Sequence, residues 1–152
     1  MSKLALPFLV ATLAVAADAP GVVHWSAAAM KDFRAHLAPK LDAQHIATER
    51  IADFGKYYFL SVLRTGSGQV ELHENDADIF FVQSGAGTLI TGGSIVDAKT
   101  TQPHEVRGTA IKGGKEMHLA AGDVVTIPAK TPHQVKLDAG KEIVYLAVKI
   151  VE

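Results

Sequence analysis

The sequence predicts an all-β domain, built as an antiparallel sandwich or barrel, with one short helix before it. From about His45 onward the chain divides into about nine short segments rich in β-branched and aromatic residues. Glycine-rich breaks separate these segments, and no helical pattern falls between them. Short strands that follow one another at fairly regular spacing, without helices between them, are typical of antiparallel sandwiches and barrels.

Composition narrows the class of protein further. The chain has 152 residues, 48% of them hydrophobic, and a formal net charge of -1, which is the profile of one ordinary globular domain. It contains no cluster of lysine and arginine, so we expect no nucleic-acid partner, because such binding needs many cationic contacts to phosphates. The absence of cysteine is compatible with an oxidising compartment but does not require one.

The first residues have the pattern of a secretory signal peptide. Lys3 precedes an apolar stretch over residues 4–17, which ends in small residues. As a helix this stretch would rise only about 21 Å, against a hydrocarbon core of roughly 30 Å, so we expect no permanent membrane span. We therefore expect residues 1–17 to be a signal peptide and the protein to be periplasmic or secreted, with a buried N-terminal helix as the alternative.

Residues 18–44 form the predicted N-terminal helical extension. Ser26 is placed to cap a short amphipathic helix. Apolar residues follow it at helical spacing, namely Met30, Phe33 and Leu37. Pro39 then ends the helix.

The remaining chain, residues 45–152, is the predicted β-barrel domain. Its expected strands are residues 45–53, 56–64, 68–73, 78–83, 87–91, 116–119, 123–127, 133–137 and 142–150. Residues 92–115 interrupt this rhythm with a long connection that carries His104, Glu105 and Arg107. Connections of this length in compact domains are usually functional or mobile.

A candidate site residue lies just after the segment 122–132, in which a Gly-Asp turn, a strand, Pro128 and a tight turn follow one another. Because side chains alternate along a strand, His133 shares one face with Val135 and Leu137. We therefore expect His133 to point inward. The residues alone allow it to be a hydrogen-bonded core histidine or a ligand.

A second group of polar residues lies around the third predicted strand. Glu71 and His73 share one face, opposite Val70 and Leu72. This face could equally point to water, as one face of an antiparallel sheet often does. The orientation of Asp78 is open as well, because residues 79–82 are apolar on both faces.

Together these two segments resemble the motifs of the cupin family. Asp78 followed by six residues and Gly85 is similar to the acidic part of the first cupin motif, and His73 stands where that motif has its second histidine. Gly122, five residues, Pro128 and then His133 are similar to the second motif. The resemblance covers roughly residues 45–150.

The resemblance implies a double-stranded β-helix, the small jelly-roll barrel of cupins, with its motif residues directed into the interior. His73 and Glu71 would then turn inward, and Val70 and Leu72 would face outward. Something apolar must cover these two residues, and we expect the N-terminal helix or a second subunit to do so. Because many cupins are dimers, the resemblance also implies a homodimer.

Three positions depart from the family pattern. Glu71 replaces the first histidine of motif one, and Asp78 replaces a longer glutamate. Lys130 occupies the position of a glycine in the motif-two turn, where a positive φ costs a non-glycine residue roughly 1 kcal/mol.

The resemblance further implies a metal site. We expect His73 and His133 as ligands, Glu71 as the third ligand, and Asp78 as a fourth ligand or as a residue behind the ligands. A buried carboxylate without a partner costs several kcal/mol, which a divalent cation would offset. Such a donor set suits Fe(II) and accepts Mn, Ni, Cu or Zn. In the alternative, Glu71 and Asp78 are solvated and no metal binds.

The function expected from this reading is an exported metal-binding cupin, an enzyme that acts on a small organic molecule by dioxygenase-like or Lewis-acid chemistry. An oxidoreductase and an isomerase both fit. The alternatives are a non-catalytic cupin that binds a small ligand and a purely structural protein. His118 could face the same cavity, and His104 with Arg107 could cover the barrel mouth, but ordinary polar roles suit these three residues as well.

Overall fold

The computed structural model describes residues 21–152, so the signal peptide expected over residues 1–17 lies outside the described residues. In chain order the elements are α1 (Ala27–Leu37), a 3-10 turn (Ala38–Lys40), β1 (Ile46–Asp53), β2 (Tyr57–Arg64), β3 (Val70–His73), β4 (Asp76–Thr91), β5 (Ser94–Val96), β6 (Lys99–Gln102), β7 (Glu105–Gly108), β8 (Ala110–Lys112), β9 (Lys115–Ala120), β10 (Val124–Ile127), β11 (His133–Lys136) and β12 (Ile143–Val151). The predicted all-β class with one short helix is confirmed.

Two antiparallel sheets face one another and share the long strand β4. In the first sheet the strand order is β1, β2, β12 and the first half of β4, and β10 pairs with the other side of β4. In the second sheet β6, β7, β3 and β11 lead to the second half of β4, which also pairs with β9. This sharing joins the sheets into one barrel-like body.

The change of sheet along β4 occurs at Gly85. The predicted strands 78–83 and 87–91 are here one strand, and Gly85 between them has a φ of 76°. The register with β12 shifts beside it, between Val144 and Tyr145. A Cβ atom at position 85 would lie 2.0 Å from the carbonyl oxygen of Glu142, so only glycine fits this crossing.

The main core lies between the two sheets. Its buried side chains come from both of them and are Val62, Phe80, Val82, Leu89, Leu119, Ile127, Val135, Ile143, Tyr145 and Ala147. They alternate along their strands with side chains of the outer faces, as the period-two pattern requires. This core closes the barrel and leaves a polar cavity beside it.

Helix α1 covers the outer face of the first sheet. Ser26 caps it as predicted, because its hydroxyl accepts a hydrogen bond of 3.1 Å from the backbone N–H of Ala29. Leu37, fully buried, packs with Ala47, Leu63 and Val144. The prediction that the helix covers Val70 and Leu72 is therefore wrong, because the helix docks on the other sheet.

The connection over residues 92–115 is not an irregular loop. It contains four short strands: β5 pairs with β8, and β6 and β7 extend the second sheet beyond β3. Their signal was missing from the sequence because β6 is exposed along its whole length and shows no apolar alternation. The consequence is functional, since β7 pairs His73 with Glu105.

Within residues 21–152, no helix combines the length and the apolar character that crossing a membrane requires.

Candidate metal centre

Four polar side chains predicted from the two motifs meet inside the barrel. Glu71 and His73 come from β3, His133 begins β11, and Asp78 lies on β4 opposite them. His73, Asp78 and His133 are buried, with 5%, 1% and 3% of their surface exposed. One donor atom from each of Glu71, His73 and His133 lies within 4.8 Å of the others. The inward orientation expected of these residues is therefore observed.

The motif-two turn holds the two histidines next to one another. Lys130 has a φ of 63°, so the predicted left-handed conformation at this non-glycine position is confirmed. Its backbone N–H donates a hydrogen bond of 2.7 Å to the carbonyl oxygen of His73. The turn is thereby tied to β3, and the strand that follows it places the ring of His133 beside that of His73.

Each imidazole is held through its Nδ1 atom. Nδ1 of His73 donates to Oε1 of Glu105 at 2.6 Å, and Nδ1 of His133 donates to the carbonyl oxygen of Thr131 at 3.0 Å. In a neutral ring the proton on Nδ1 leaves Nε2 with a free lone pair. Both Nε2 atoms are buried, and neither has a hydrogen-bond partner among the described residues.

The acids face these two nitrogens at similar distances. Oδ2 of Asp78 lies 3.4 Å from Nε2 of both His73 and His133. Oε2 of Glu71 lies 3.6 Å from Nε2 of His73 and 3.8 Å from that of His133. Ligands that bind an ion tetrahedrally at about 2.1 Å are separated by about 3.4 Å, so these four acid-to-imidazole distances are compatible with a divalent metal, and Glu71, His73 and His133 form the group whose donor atoms all lie within 4.8 Å of one another.

Cations occupy the other oxygen of each acid. Oε1 of Glu71 forms an ion pair of 2.7 Å with Nη1 of Arg107 and accepts a hydrogen bond of 3.2 Å from Nη2 of Arg64. Oδ1 of Asp78 forms an ion pair of 2.6 Å with Nζ of Lys149. Each carboxylate therefore offers one oxygen to a cation and the other to the histidine pair.

The sequence suggested that a metal is needed to offset the charge of buried carboxylates without partners, and these ion pairs show that this reason is wrong. The carboxylates do not lack partners, because Arg64, Arg107 and Lys149 balance their charge. Oδ1 of Asp78 and Oε2 of Glu105 are also buried without a hydrogen bond, but each lies within 3.3 Å of a cationic nitrogen, whereas the two imidazole Nε2 nitrogens have no such partner among the described residues. A buried polar atom without a partner is costly, and an imidazole nitrogen with a free lone pair is a common metal ligand. The donor set therefore fits a divalent transition metal.

The charges around the site shift the protonation of the two histidines in opposite directions. Burial alone would lower the pKa of His73, but the carboxylates of Asp78, Glu105 and Glu71 outweigh it and raise this pKa to about 10. For His133 burial dominates and lowers the pKa, although Glu71 opposes it. Without a metal, His73 therefore carries the proton and His133 is neutral at neutral pH.

Burial would raise the pKa of both ligand acids, yet both are held below their ordinary values. For Asp78 the opposing groups are His73 and Lys149. For Glu71 they are His73 and the two arginines that contact it. Both carboxylates are therefore ionised at neutral pH and available to a cation.

A cavity of about 250 Å³ opens directly in front of these side chains. Its polar wall contains the ligand residues Glu71, His73 and Asp78, together with Glu105 and Lys149. Apolar residues of β1, β2, β4 and β12 also line the cavity, among them Ile46, Leu60, Val62, Phe80 and Ala147. This arrangement of an apolar cleft with a few convergent polar groups is typical of small-molecule sites.

Lys149, Arg64 and Glu105 also belong to the site, although none of them was predicted from the sequence. Alternation along β12 puts Lys149 on the same inward face as Tyr145 and Ala147. A lysine among inward-facing residues is unusual, and this pattern could have identified Lys149 as a site residue. Arg64 similarly ends the inward-facing row of β2. Glu105 had no comparable signal, because its strand was not predicted.

Two other histidines do not belong to this site. His118 is exposed on β9 and borders a different groove, so the suggestion that it could face the same cavity is wrong. His104 is also exposed, and its ring bonds to Glu74 at 3.1 Å. Arg107, its neighbour in the connection, does reach the cavity and contacts Glu71 and Glu105.

The comparison with known proteins rests on structure alone. No protein-family model and no curated protein sequence matches the chain. Solved structures do match it, among them a cupin-2 domain protein from Rhodospirillum rubrum, with 17% identity, a TM-score of 0.52, and coverage of 72% of this chain and 62% of that one. The chain has the cupin fold.

Two further cupin-fold neighbours carry names that describe an activity. A predicted oxalate decarboxylase from Thermotoga maritima has 18% identity and a TM-score of 0.52, covering 70% of this chain and 81% of that one. The polyketide cyclase RemF from Streptomyces resistomycificus has 17% identity and a TM-score of 0.52, covering 72% and 67%. At such identities the likeness shows the cupin fold and not the reaction.

The departures from the cupin motifs are concentrated in the cluster itself. Glu71 stands where the family has a histidine, and its carboxylate brings Arg64 and Arg107 to the site. Asp78, although shorter than the usual glutamate, still lies 3.4 Å from both Nε2 atoms. This cupin barrel therefore holds two imidazoles and two carboxylates within reach of one point.

Proposed function

We propose that this cupin binds one divalent transition metal through His73, His133 and Glu71, with Asp78 as a fourth ligand or directly behind the others. The observation that carries the proposal is the pair of buried Nε2 atoms without partners, held toward the same space by hydrogen bonds at Nδ1. Nitrogen and oxygen donors of this kind accept Fe, Mn, Zn, Ni or Cu.

We further propose that the protein is an enzyme for a small organic molecule that occupies the adjoining cavity. A divalent metal would supply Lewis-acid polarisation of a substrate oxygen, or redox chemistry if the metal is iron. The chain itself fixes the imidazole orientation through Glu105 and Thr131, and its apolar wall excludes water from the bound molecule. An oxidoreductase of dioxygenase type and an isomerase both fit, and the differing names of the cupin-fold neighbours favour neither.

The deciding experiment is elemental analysis of the purified protein and of matched histidine variants. We expect about one equivalent of a first-row metal in the wild type and its loss in His73→Ala and His133→Ala, with the circular dichroism spectrum unchanged. His118→Ala is the matched control, because His118 is exposed outside the cavity. A His133→Ala variant that keeps its metal would show that the site is assigned wrongly.

A non-catalytic cupin that binds a small ligand is the second candidate. The ion pairs of Arg107 with Glu71 and of Lys149 with Asp78 favour it, because they neutralise the acids without any metal. A wild-type protein that stays metal-free after growth and refolding with each candidate metal would support this candidate. Oxygen consumption by the metal-loaded protein with an organic substrate would exclude it.

Export is part of the proposal and is supported by Lys3 and the apolar residues 4–17. We expect the full chain, expressed in a bacterium, to appear in the periplasm or the medium. The mass of the mature protein should correspond to loss of about the first 17 residues. Retention of the intact chain in the cytoplasm would contradict this proposal.

A homodimer is the proposed assembly. Tyr57, Ile150 and Val151 leave apolar surface exposed at one end of the neighbouring strands β2 and β12, where Tyr57 pairs with Ile150. Light scattering coupled to gel filtration should give twice the monomer mass. A monomer mass at micromolar concentration would refute the dimer and leave the metal proposal intact.

A further inference from the structure

Apart from the two histidines, the charged side chains around the cavity balance one another. Glu71, Asp78 and Glu105 supply three negative charges, and Arg64, Arg107 and Lys149 supply three positive ones. A divalent ion bound by neutral imidazoles would therefore leave an excess of two positive charges among side chains that are largely buried. Such an excess is costly away from water, so an anion that enters with the metal is favoured.

Lys149 is the cation best placed to bind that anion. Its ammonium group has three donors, and its ion pair with Asp78 is its one polar side-chain contact within residues 21–152. Arg107, in contrast, uses both terminal nitrogens on Glu71 and Glu105. Arg64 is committed to Tyr145 and Glu71.

The rest of the cavity favours an organic anion over an inorganic one. Leu60, Val62, Phe80 and Ala147 form an apolar part of the cavity wall, and phosphate would leave this apolar wall in contact with water. The volume of about 250 Å³ corresponds to about eight water molecules at roughly 30 Å³ each. The occupant is therefore small and has both a charged end and a hydrocarbon part.

We propose that the substrate is a small organic acid whose carboxylate is bound by Lys149 beside the metal, an inference that rests on the metal site proposed above. Lys149 is thus a specificity-determining residue. It favours a carboxylate because a hydrogen bond from its ammonium group to an anionic acceptor is also an ion pair, whereas a neutral amide oxygen adds no such attraction between charges. The apolar wall packs against the hydrocarbon part of the acid.

The test is calorimetric titration of zinc-loaded protein, since zinc undergoes no redox reaction. Isobutyrate, pyruvate and succinate are each compared with the corresponding amide, and inorganic phosphate is included. We expect at least one acid to bind about ten-fold more tightly than its amide, a difference of about 1.4 kcal/mol. The inference is overturned if no acid binds more tightly than its amide, or if phosphate binds most tightly of all.

Substitutions then test the role of Lys149. Lys149→Met should lower the affinity for the acid about ten-fold without changing that for the amide, and Lys149→Arg should retain part of the preference. Lys136→Met is the matched control, because Lys136 is exposed on β11. An unchanged preference for the acid in a folded Lys149→Met variant would refute the role of this residue. If Lys149→Met does not fold, the Lys149→Arg variant still tests the role of this residue. The comparison of acid with amide in the wild type still tests the substrate class.

Failure of this inference is distinguishable from failure of the metal proposal. Elemental analysis of the same samples shows whether metal is bound. Wild-type protein that takes up no metal refutes the proposed metal site, whereas stoichiometric metal without preference for any acid refutes only the substrate class. The metal-free protein should also discriminate less between acid and amide than the zinc-loaded protein, because its cavity carries less positive charge.

Discussion

The imidazole rings of His73 and His133 lie with their centroids 5.2 Å apart and their planes inclined by 55°. The two residues lie on β3 and β11, which are neighbouring strands of the second sheet. In both rings Nε2 lies 3.4 Å from Oδ2 of Asp78. Rings on opposite surfaces of the barrel would have excluded a shared ion. Because the two rings converge, a single ion could bind to both Nε2 atoms.

The metal-free protein should lose stability as the pH rises from about 6.5 to about 10. His73 has a pKa of about 10 in the folded protein and about 6.5 in an unfolded chain, so the folded state binds the proton more tightly. Below pH 6.5 both states are protonated and the stabilisation is fully present, and it is lost progressively as the pH approaches 10.

Urea denaturation at a series of pH values, with a chelator present, measures this dependence. His133, with a lowered pKa, titrates below the window. Tyr58, whose pKa is raised to about 12 mainly by burial, titrates above it. The His73→Gln variant should show a much flatter profile. A wild-type free energy of unfolding that is constant or increases across the window would contradict the role given to His73.

Removing the carboxylate behind His73 should weaken metal binding without abolishing it. Glu105→Gln keeps the size of the side chain but replaces a charge-assisted hydrogen bond to Nδ1 by a neutral one. Losses of this kind typically cost 10- to 100-fold in metal affinity, so we expect a dissociation constant raised by about that factor and full loading at saturating metal. Competition with a chelating dye measures the constant.

The matched control for that variant is Glu74→Gln, since Glu74 is an exposed acid that bonds to His104 outside the cavity. Its metal affinity should equal that of the wild type. Equal affinities for the two variants would mean that Glu105 does not position the ring.

Gly85→Ala should destabilise the protein by about 2–4 kcal/mol. The added Cβ would lie 2.0 Å from the carbonyl oxygen of Glu142, and the positive φ adds a further cost. Gly140→Ala separates the two causes, because Gly140 has a φ of 72° but nothing within 4 Å of the added atom. That control should lose only about 1 kcal/mol in chemical denaturation. Equal losses would show that steric contact at the crossing of β4 is unimportant.

Leu37→Ala should cost about 2–5 kcal/mol, because Leu37 is fully buried between α1 and the first sheet. Arg34→Ala removes the exposed ion pair of 2.6 Å between Arg34 and Glu142 on the same helix, and should leave the thermal midpoint nearly unchanged. Neither substitution should alter the metal content, since the helix lies outside the barrel. Loss of metal in a folded Leu37→Ala protein would show that the helix supports the site.

Local patterns were sufficient to predict most of the elements. The serine cap and helical spacing located α1, and alternation located the strands and turned His133 inward with Val135. Even the left-handed Lys130 followed from its place in the motif-two turn. These features depend on neighbours in sequence, which is why a single chain reveals them.

The orientation of the first motif could not be derived from local pattern. The alternation of Glu71 and His73 is equally compatible with a solvated face, and the resemblance to cupins resolved it. The four strands of residues 92–115 were missed for a related reason. Their side chains are largely exposed, and they are ordered by pairing with distant strands instead of by an apolar stripe.

The sequence by itself determined the all-β class and the resemblance to cupins, because alternation and motif spacing are local properties of the chain, and that resemblance in turn implied the four candidate ligands. Only the tertiary structure decided which charges surround those ligands. Glu105 is 32 residues from His73, and Lys149 lies near the end of the chain, yet strand pairing brings each of them within 2.6 Å of a ligand residue, as it brings Arg64 to within 3.2 Å of Glu71. Electrostatic interaction depends on distance in space, so the partners of a buried acid become known only when the sheets have closed.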